Sequence, residues 1–124
     1  MKPISDKKCE ELATEIFEWL VNNELWVDVC IYFNGKRWST HNRETDEYYY
    51  NQHKYYEDEA DPRDYFSYVR EPENILSMSF EGPLYLELNG YNRHSLSDEF
   101  MKIFEKYGLF YELGHPWNLT ACEV

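Results

Sequence analysis

The sequence is poor in the residues that usually announce a catalytic or metal-binding motif. Its three cysteines, Cys9, Cys30 and Cys122, are odd in number and share no Cys-x-x-Cys spacing, and its four histidines form no His-Glu-x-x-His pair. A zinc site and a disulfide framework are therefore not expected, and reduced thiols in a cytoplasmic setting are. The five glycines, at 35, 82, 90, 108 and 114, fall at turns or breaks, so no glycine-rich phosphate loop exists and no cofactor is expected. No apolar stretch resembles a signal peptide or a membrane span. Base is scarce: 12 Lys and Arg stand against 24 Asp and Glu, for a formal net charge of −12. Direct binding to nucleic acid or to an anionic membrane would be opposed by that field, which attracts a basic partner instead. Its plainer reading is solubility.

What the chain does have is apolar and aromatic material. Of its 124 residues 43% are hydrophobic, with four Trp, seven Phe and twelve Tyr, enough for one domain spanning 1–124 that buries roughly 65% of its unfolded surface. Ser5 caps an expected helix from Asp6. Cys9, Leu12, Ala13, Ile16, Phe17, Leu20 and Val21 then recur at helical spacing, and Asn22-Asn23 offers a left-handed stop. Two β-rich runs, Trp26 to Phe33 and Lys36 to His41, flank Asn34-Gly35, which specifies a type I′ hairpin. That turn fixes the register. Phe33 opposes Lys36, Ile31 opposes Trp38 and Val29 opposes Thr40 on one face; Tyr32 with Arg37, Cys30 with Ser39 and Asp28 with His41 share the other.

Further on, Asp61-Pro62 opens a short helix to about Val69 and Asn74 to Phe80 alternates as a half-buried strand. Leu84 to Leu88 fits a strand or one or two helical turns, with Pro83 and Gly90 as punctuation favouring a short helix, and Ser95 or Ser97 caps another along Phe100, Ile103, Phe104 and Tyr107. Leu109 to Leu113 and Trp117 to Cys122 close the chain as a hairpin. The order predicts an α+β fold: an antiparallel sheet of about five strands, helices packed on one face, and an insert at 44–73 of unsettled structure.

That insert is distinctive. Its thirty residues hold ten acidic and three basic side chains, so it supplies −7 of the net −12, and it carries seven of the twelve tyrosines. Carboxylates offer charge to Arg and Lys, while phenols give contact area at low entropic cost and stack on guanidinium planes. Glu44, Asp46, Glu47, Glu57, Asp58, Glu59 and Asp61 are the candidate charges, and Tyr48, Tyr49, Tyr55 and Tyr56 the candidate anchors. Alternatively, half of these tyrosines complete the core and the acids keep the insert soluble. Glu57-Asp58-Glu59-Ala60-Asp61 lacks the spacing of an EF-hand loop, so no metal site is expected there.

The segments Glu44-Thr45-Asp46-Glu47-Tyr48-Tyr49-Tyr50 and Tyr55-Tyr56-Glu57-Asp58-Glu59 resemble the acidic, tyrosine-rich surfaces of small DNA-mimic proteins of phages and mobile elements. Antirestriction and anti-CRISPR proteins are among these, and nuclease immunity proteins are similar in character. The resemblance is one of composition over about thirty residues. It implies a non-enzymatic inhibitor that occupies the basic nucleic-acid site of an enzyme such as a CRISPR effector, restriction enzyme or toxin nuclease. Two other readings stand beside it. One is a small enzyme on the hairpin face, where Asp28 and His41 would form an acid/base pair near Cys30, Tyr32 and Arg37. The other is a structural subunit with an exposed aromatic patch around Trp19, Trp26 or Trp117.

Overall fold

The computed structural model describes residues 4–66, 71–90 and 96–124. Helix α1 (Asp6–Asn22) begins as its sequence dictates: Ser5 is extended and its hydroxyl accepts from the Lys8 amide at 3.2 Å, with Asp6 in the positive first turn. Its stop works differently from the expectation. Asn23 is not left-handed (φ −107°). Its side-chain amide caps the Trp19 carbonyl at 2.8 Å instead, and Glu24 takes the left-handed turn at φ 59°.

Strands β1 (Val29–Phe33) and β2 (Lys36–Ser39) pair in the register expected from Asn34-Gly35, whose φ angles of 50° and 75° are those of a type I′ turn. β1 is shorter than its β-rich run. Trp26 to Asp28 lie before it, Asp28 at φ 56°.

The remaining elements are β3 (Tyr56–Glu59), β4 (Leu76–Phe80), α2 (Pro83–Leu88), α3 (Ser97–Glu105), β5 (Leu109–Leu113) and β6 (Asn118–Glu123). Together the strands make a six-stranded antiparallel sheet ordered β3-β2-β1-β4-β6-β5. The α+β class is as expected, and the strand beyond the expected five is β3, an edge strand drawn from the acidic insert. After it Pro62–Asp64 form a single 3-10 turn capped by Asp61, shorter than the helix expected from Asp61-Pro62; positions 67–69 of that expectation lie outside the described residues. Helix α3 uses neither expected serine cap. Ser97 is already its first residue, the Leu96 amide is capped by Glu87 Oε2 at 2.9 Å, and Ser95 lies outside the described residues.

Period-2 alternation sorts the sheet into two faces. Val29, Ile31, Phe33, Trp38, Leu76, Met78, Phe80, Leu119 and Ala121 join the stripes of α1 and α3 in one buried core. Phe17 sits at its aromatic centre, edge-on to Trp26 at 5.0 Å and to Tyr55 at 5.2 Å. The other face is polar: Cys30, Tyr32, Arg37, Ser39, Ser77, Ser79 and Thr120 lie along it. Phe66 meets Tyr32 edge-on there at 5.2 Å, and Ser77, fully buried, donates to the Pro72 carbonyl at 2.7 Å.

Candidate functional site

The acidic loop between β2 and β3 is held at several points. An isolated bridge joins His41 to Tyr48; the Asn42 amide donates to the Glu47 carbonyl at 2.9 Å and the Asp46 amide to the Asn42 carbonyl at 2.8 Å. Asn42 Oδ1 accepts from the Glu44 and Thr45 amides at 2.9 and 3.2 Å, an Asx turn. Further along, Asn51 and Trp26 exchange bonds: Trp26 N–H to Asn51 Oδ1 at 3.1 Å, Asn51 N–H to the Trp26 carbonyl at 2.9 Å. The buried Trp26 indole donates to the Lys54 carbonyl at 3.0 Å. These bonds answer why a polar tract is ordered at all: each satisfies a backbone group that a free loop would leave to water.

The candidate residues separate into distinct environments. Tyr48 is 49% exposed, its ring parallel to that of His41 at 4.5 Å. Tyr49 is 5% exposed; its hydroxyl accepts from Asn42 Nδ2 at 2.7 Å and the Lys54 ammonium lies 4.6 Å from its ring centroid. Tyr55 stacks on Trp38 at 4.2 Å against the core, and half-buried Tyr56 donates to Glu44 Oε1 at 3.3 Å. Two of the four anchors thus serve the interior. Tyr50, which the sequence did not single out, is exposed and donates to Asp28 Oδ1 at 2.5 Å. That bond to a carboxylate, helped by partial burial, pushes the Tyr50 phenol up to about 12.

The carboxylates divide likewise. Asp58 grips Arg37 through two bonds, Nε to Oδ1 at 3.0 Å and Nη2 to Oδ2 at 2.5 Å, and this pairing raises the guanidinium pKa further. Glu57 accepts from the Trp38 indole at 2.8 Å and lies 3.6 Å from Lys36 Nζ; Asp61 caps the 3-10 turn and pairs with Arg63 at 2.7 Å. Asp46 takes the His41 imidazole at 2.7 Å. Glu47 and Glu59 are exposed and carry no side-chain ion pair among the described residues.

At the other end of β1, Asp28, Cys30, Ser39, His41, Glu81 and Trp117 are among the residues lining a cleft of about 320 Å³ whose wall also includes Tyr48. The acid/base pair expected from the hairpin register is replaced by two others: Asp28 is bound by Tyr50, and His41 by Asp46. Among the three tryptophans named for an exposed patch, Trp26 is fully buried, Trp19 stacks on Phe100 at 5.1 Å, and Trp117 is 45% exposed. A larger hollow of about 840 Å³ at the hairpin turn is rimmed by Asp6, Glu59, Asp61, Asp64 and Glu73. Among the described residues no group of three or more His, Cys, Asp or Glu is arranged to hold a metal ion, and no helix is long and apolar enough to cross a membrane.

The fold and site thus define a small acidic α+β protein with an ordered acidic sheet edge. Comparison with known proteins adds no relative: no family model, no curated protein and no solved structure matches the chain.

Proposed function

We propose that the protein is a non-enzymatic binder that docks its acidic edge on the basic surface of another protein, of the kind with which an enzyme holds nucleic acid, and so inhibits it in the cytoplasm. The observation that carries this reading is the ordered presentation of charge. Strand β3 and the loop pinned to Trp26 hold Glu44, Glu47 and Glu59 and the exposed ring of Tyr48 at the surface of a chain of net charge −12. Groups fixed before binding lose less entropy on docking, and a field of one sign accelerates encounter with its opposite.

The test is affinity capture from host lysate, wild type beside a Glu44→Lys, Glu47→Lys, Glu59→Lys variant, eluted in rising salt. Retention of a nucleic-acid enzyme by wild type alone, released at moderate salt, is the expected result; equal retention by both would overturn the reading. The small-enzyme alternative has in its favour that Asp28, Cys30 and His41 share one cleft. Among the described residues no base is set against the Cys30 thiol, and His41 Nε2 is bound to Asp46 at 2.7 Å.

A further inference from the structure

The cleft at the start of β1 is lined by two carboxylates, those of Asp28 and Glu81. Val29 pairs with Phe80, and one step beyond that ladder the Glu81 amide donates to the Asp28 carbonyl at 3.1 Å, which brings the two residues to the same rim of the cleft. Among the described residues no Lys or Arg lines the cleft to offset these two carboxylates. Arg43, which donates to Ser39 Oγ on the same wall at 3.1 Å, leans toward Asp58 at 4.0 Å instead. Asp28 has a neutral partner in Tyr50, and Glu81 is exposed with no side-chain bond among the described residues.

The walls supply a second, independent feature. Two large aromatic rings border the same cleft, Tyr48 at 49% and Trp117 at 45% exposure. Each is backed by an imidazole in parallel stacking, Tyr48 by His41 at 4.5 Å and 12°, Trp117 by His115 at 4.6 Å and 5°. Exposed rings held flat in this way are ready to cover a planar partner without first losing their own freedom. Two carboxylates and two exposed aromatic rings lining one cleft match one chemical group better than others: a guanidinium, which presents a fork of N–H donors to carboxylates and stacks its plane on aromatic rings. An ammonium satisfies the charge and leaves the plane unused.

We propose that this cleft receives an arginine side chain of the basic partner, with Asp28 and Glu81 taking the guanidinium and Tyr48 and Trp117 flanking it. The inference rests on the reading of the protein as a binder of basic surfaces and gives that surface an anchor point. It also joins the cleft to the acidic loop, since Tyr48 belongs to both.

The test is a nuclear magnetic resonance titration of the intact protein with three blocked tripeptides, glycine flanking arginine, lysine or citrulline. The expected result is saturable movement of the Trp117 indole, Asp28 and Glu81 signals with the arginine peptide, weaker movement with lysine and none with citrulline. Trp117→Ala and Glu81→Gln should each weaken the arginine response by about tenfold. Both residues are exposed, so neither change is expected to unfold the chain. Movement confined to Glu44, Glu47 and Glu59 would overturn the cleft as the anchor while leaving the acidic-edge reading standing. Equal response to citrulline, or movement of the cleft signals with calcium chloride alone and none with peptide, would overturn it too. Failure of the broader reading shows separately, as lysate capture indifferent to charge reversal at the edge.

Discussion

Arg37 and Asp58 meet across the β2–β3 ladder through two nearly parallel bonds, on a face where the Arg37 side chain is only 8% exposed. Part of the charge of the acidic insert is thus used inside the fold to balance a buried cation. Removing the acid alone strands that cation, which costs about 3 kcal/mol for a buried pair. Asp58→Ala should lower the midpoint of urea unfolding accordingly. Arg37→Leu in the same chain should recover most of the loss, because no unpaired charge then remains buried. Full additivity of the two changes would show that the pair is not coupled.

Gly82, at the entrance to α2, leaves no room for a side chain: a Cβ there would lie 2.5 Å from the Val27 carbonyl oxygen and 3.3 Å from Val27 Cγ1. The obstacle is backbone and cannot rotate away. Gly82→Ala should therefore destabilise the fold by about 1–3 kcal/mol, the usual range for overpacking, measured by thermal or urea unfolding. An unchanged midpoint would mean that the 24–28 segment shifts freely.

The phenols of Tyr50 and Tyr111 are both pushed up to about 12, the first by its bond to the Asp28 carboxylate and the second by burial and then Asp98. Folding favours the protonated form of each. Their contribution is complete below the ordinary phenol pKa of about 10 and is lost as pH climbs through about 12. Phenolate absorbance should accordingly rise in two stages, with stability falling during the second. Asp28→Asn should move one tyrosine from the late stage to the early one.

The three thiols should differ in reactivity. Cys9 is fully buried on the inner face of α1, while Cys30 and Cys122 are half-buried. Burial, then Glu112, pushes the Cys122 thiol above its ordinary value, which lowers its thiolate fraction near neutrality. Iodoacetamide followed by mass spectrometry should therefore modify Cys30 first, Cys122 more slowly and Cys9 only on unfolding. Rapid modification of Cys9 would contradict the packing of α1.

Helix α1 and the β1–β2 hairpin were legible from the sequence because single local signals decide them, a cap with a seven-residue stripe in one case and Asn34-Gly35 in the other. Strand β3 was not. Tyr56–Glu59 is one phenol followed by three carboxylates, so no apolar period marks the strand; it is set by Lys36 and Arg37 of β2, which lie opposite Glu59 and Asp58. The cleft was half legible. Register placed Asp28 and Cys30 on one face with His41, yet Glu81, Tyr50 and Trp117 come from separate segments, and only the β1–β4 and β4–β6 pairings bring the first and last to Asp28. Long-range pairing of that kind leaves no trace in local spacing.

An edge strand is also an invitation to misassembly, since its unpaired amides and carbonyls will accept a strand from any neighbour. β3 ends the sheet with Glu57, Asp58 and Glu59 in succession, and two such edges repel each other while their carboxylates are ionised. The same charge therefore keeps copies of the molecule from joining edge to edge. Acidification toward the pI of about 4.6 withdraws that protection, so precipitation through this edge is the cost the molecule meets in mild acid.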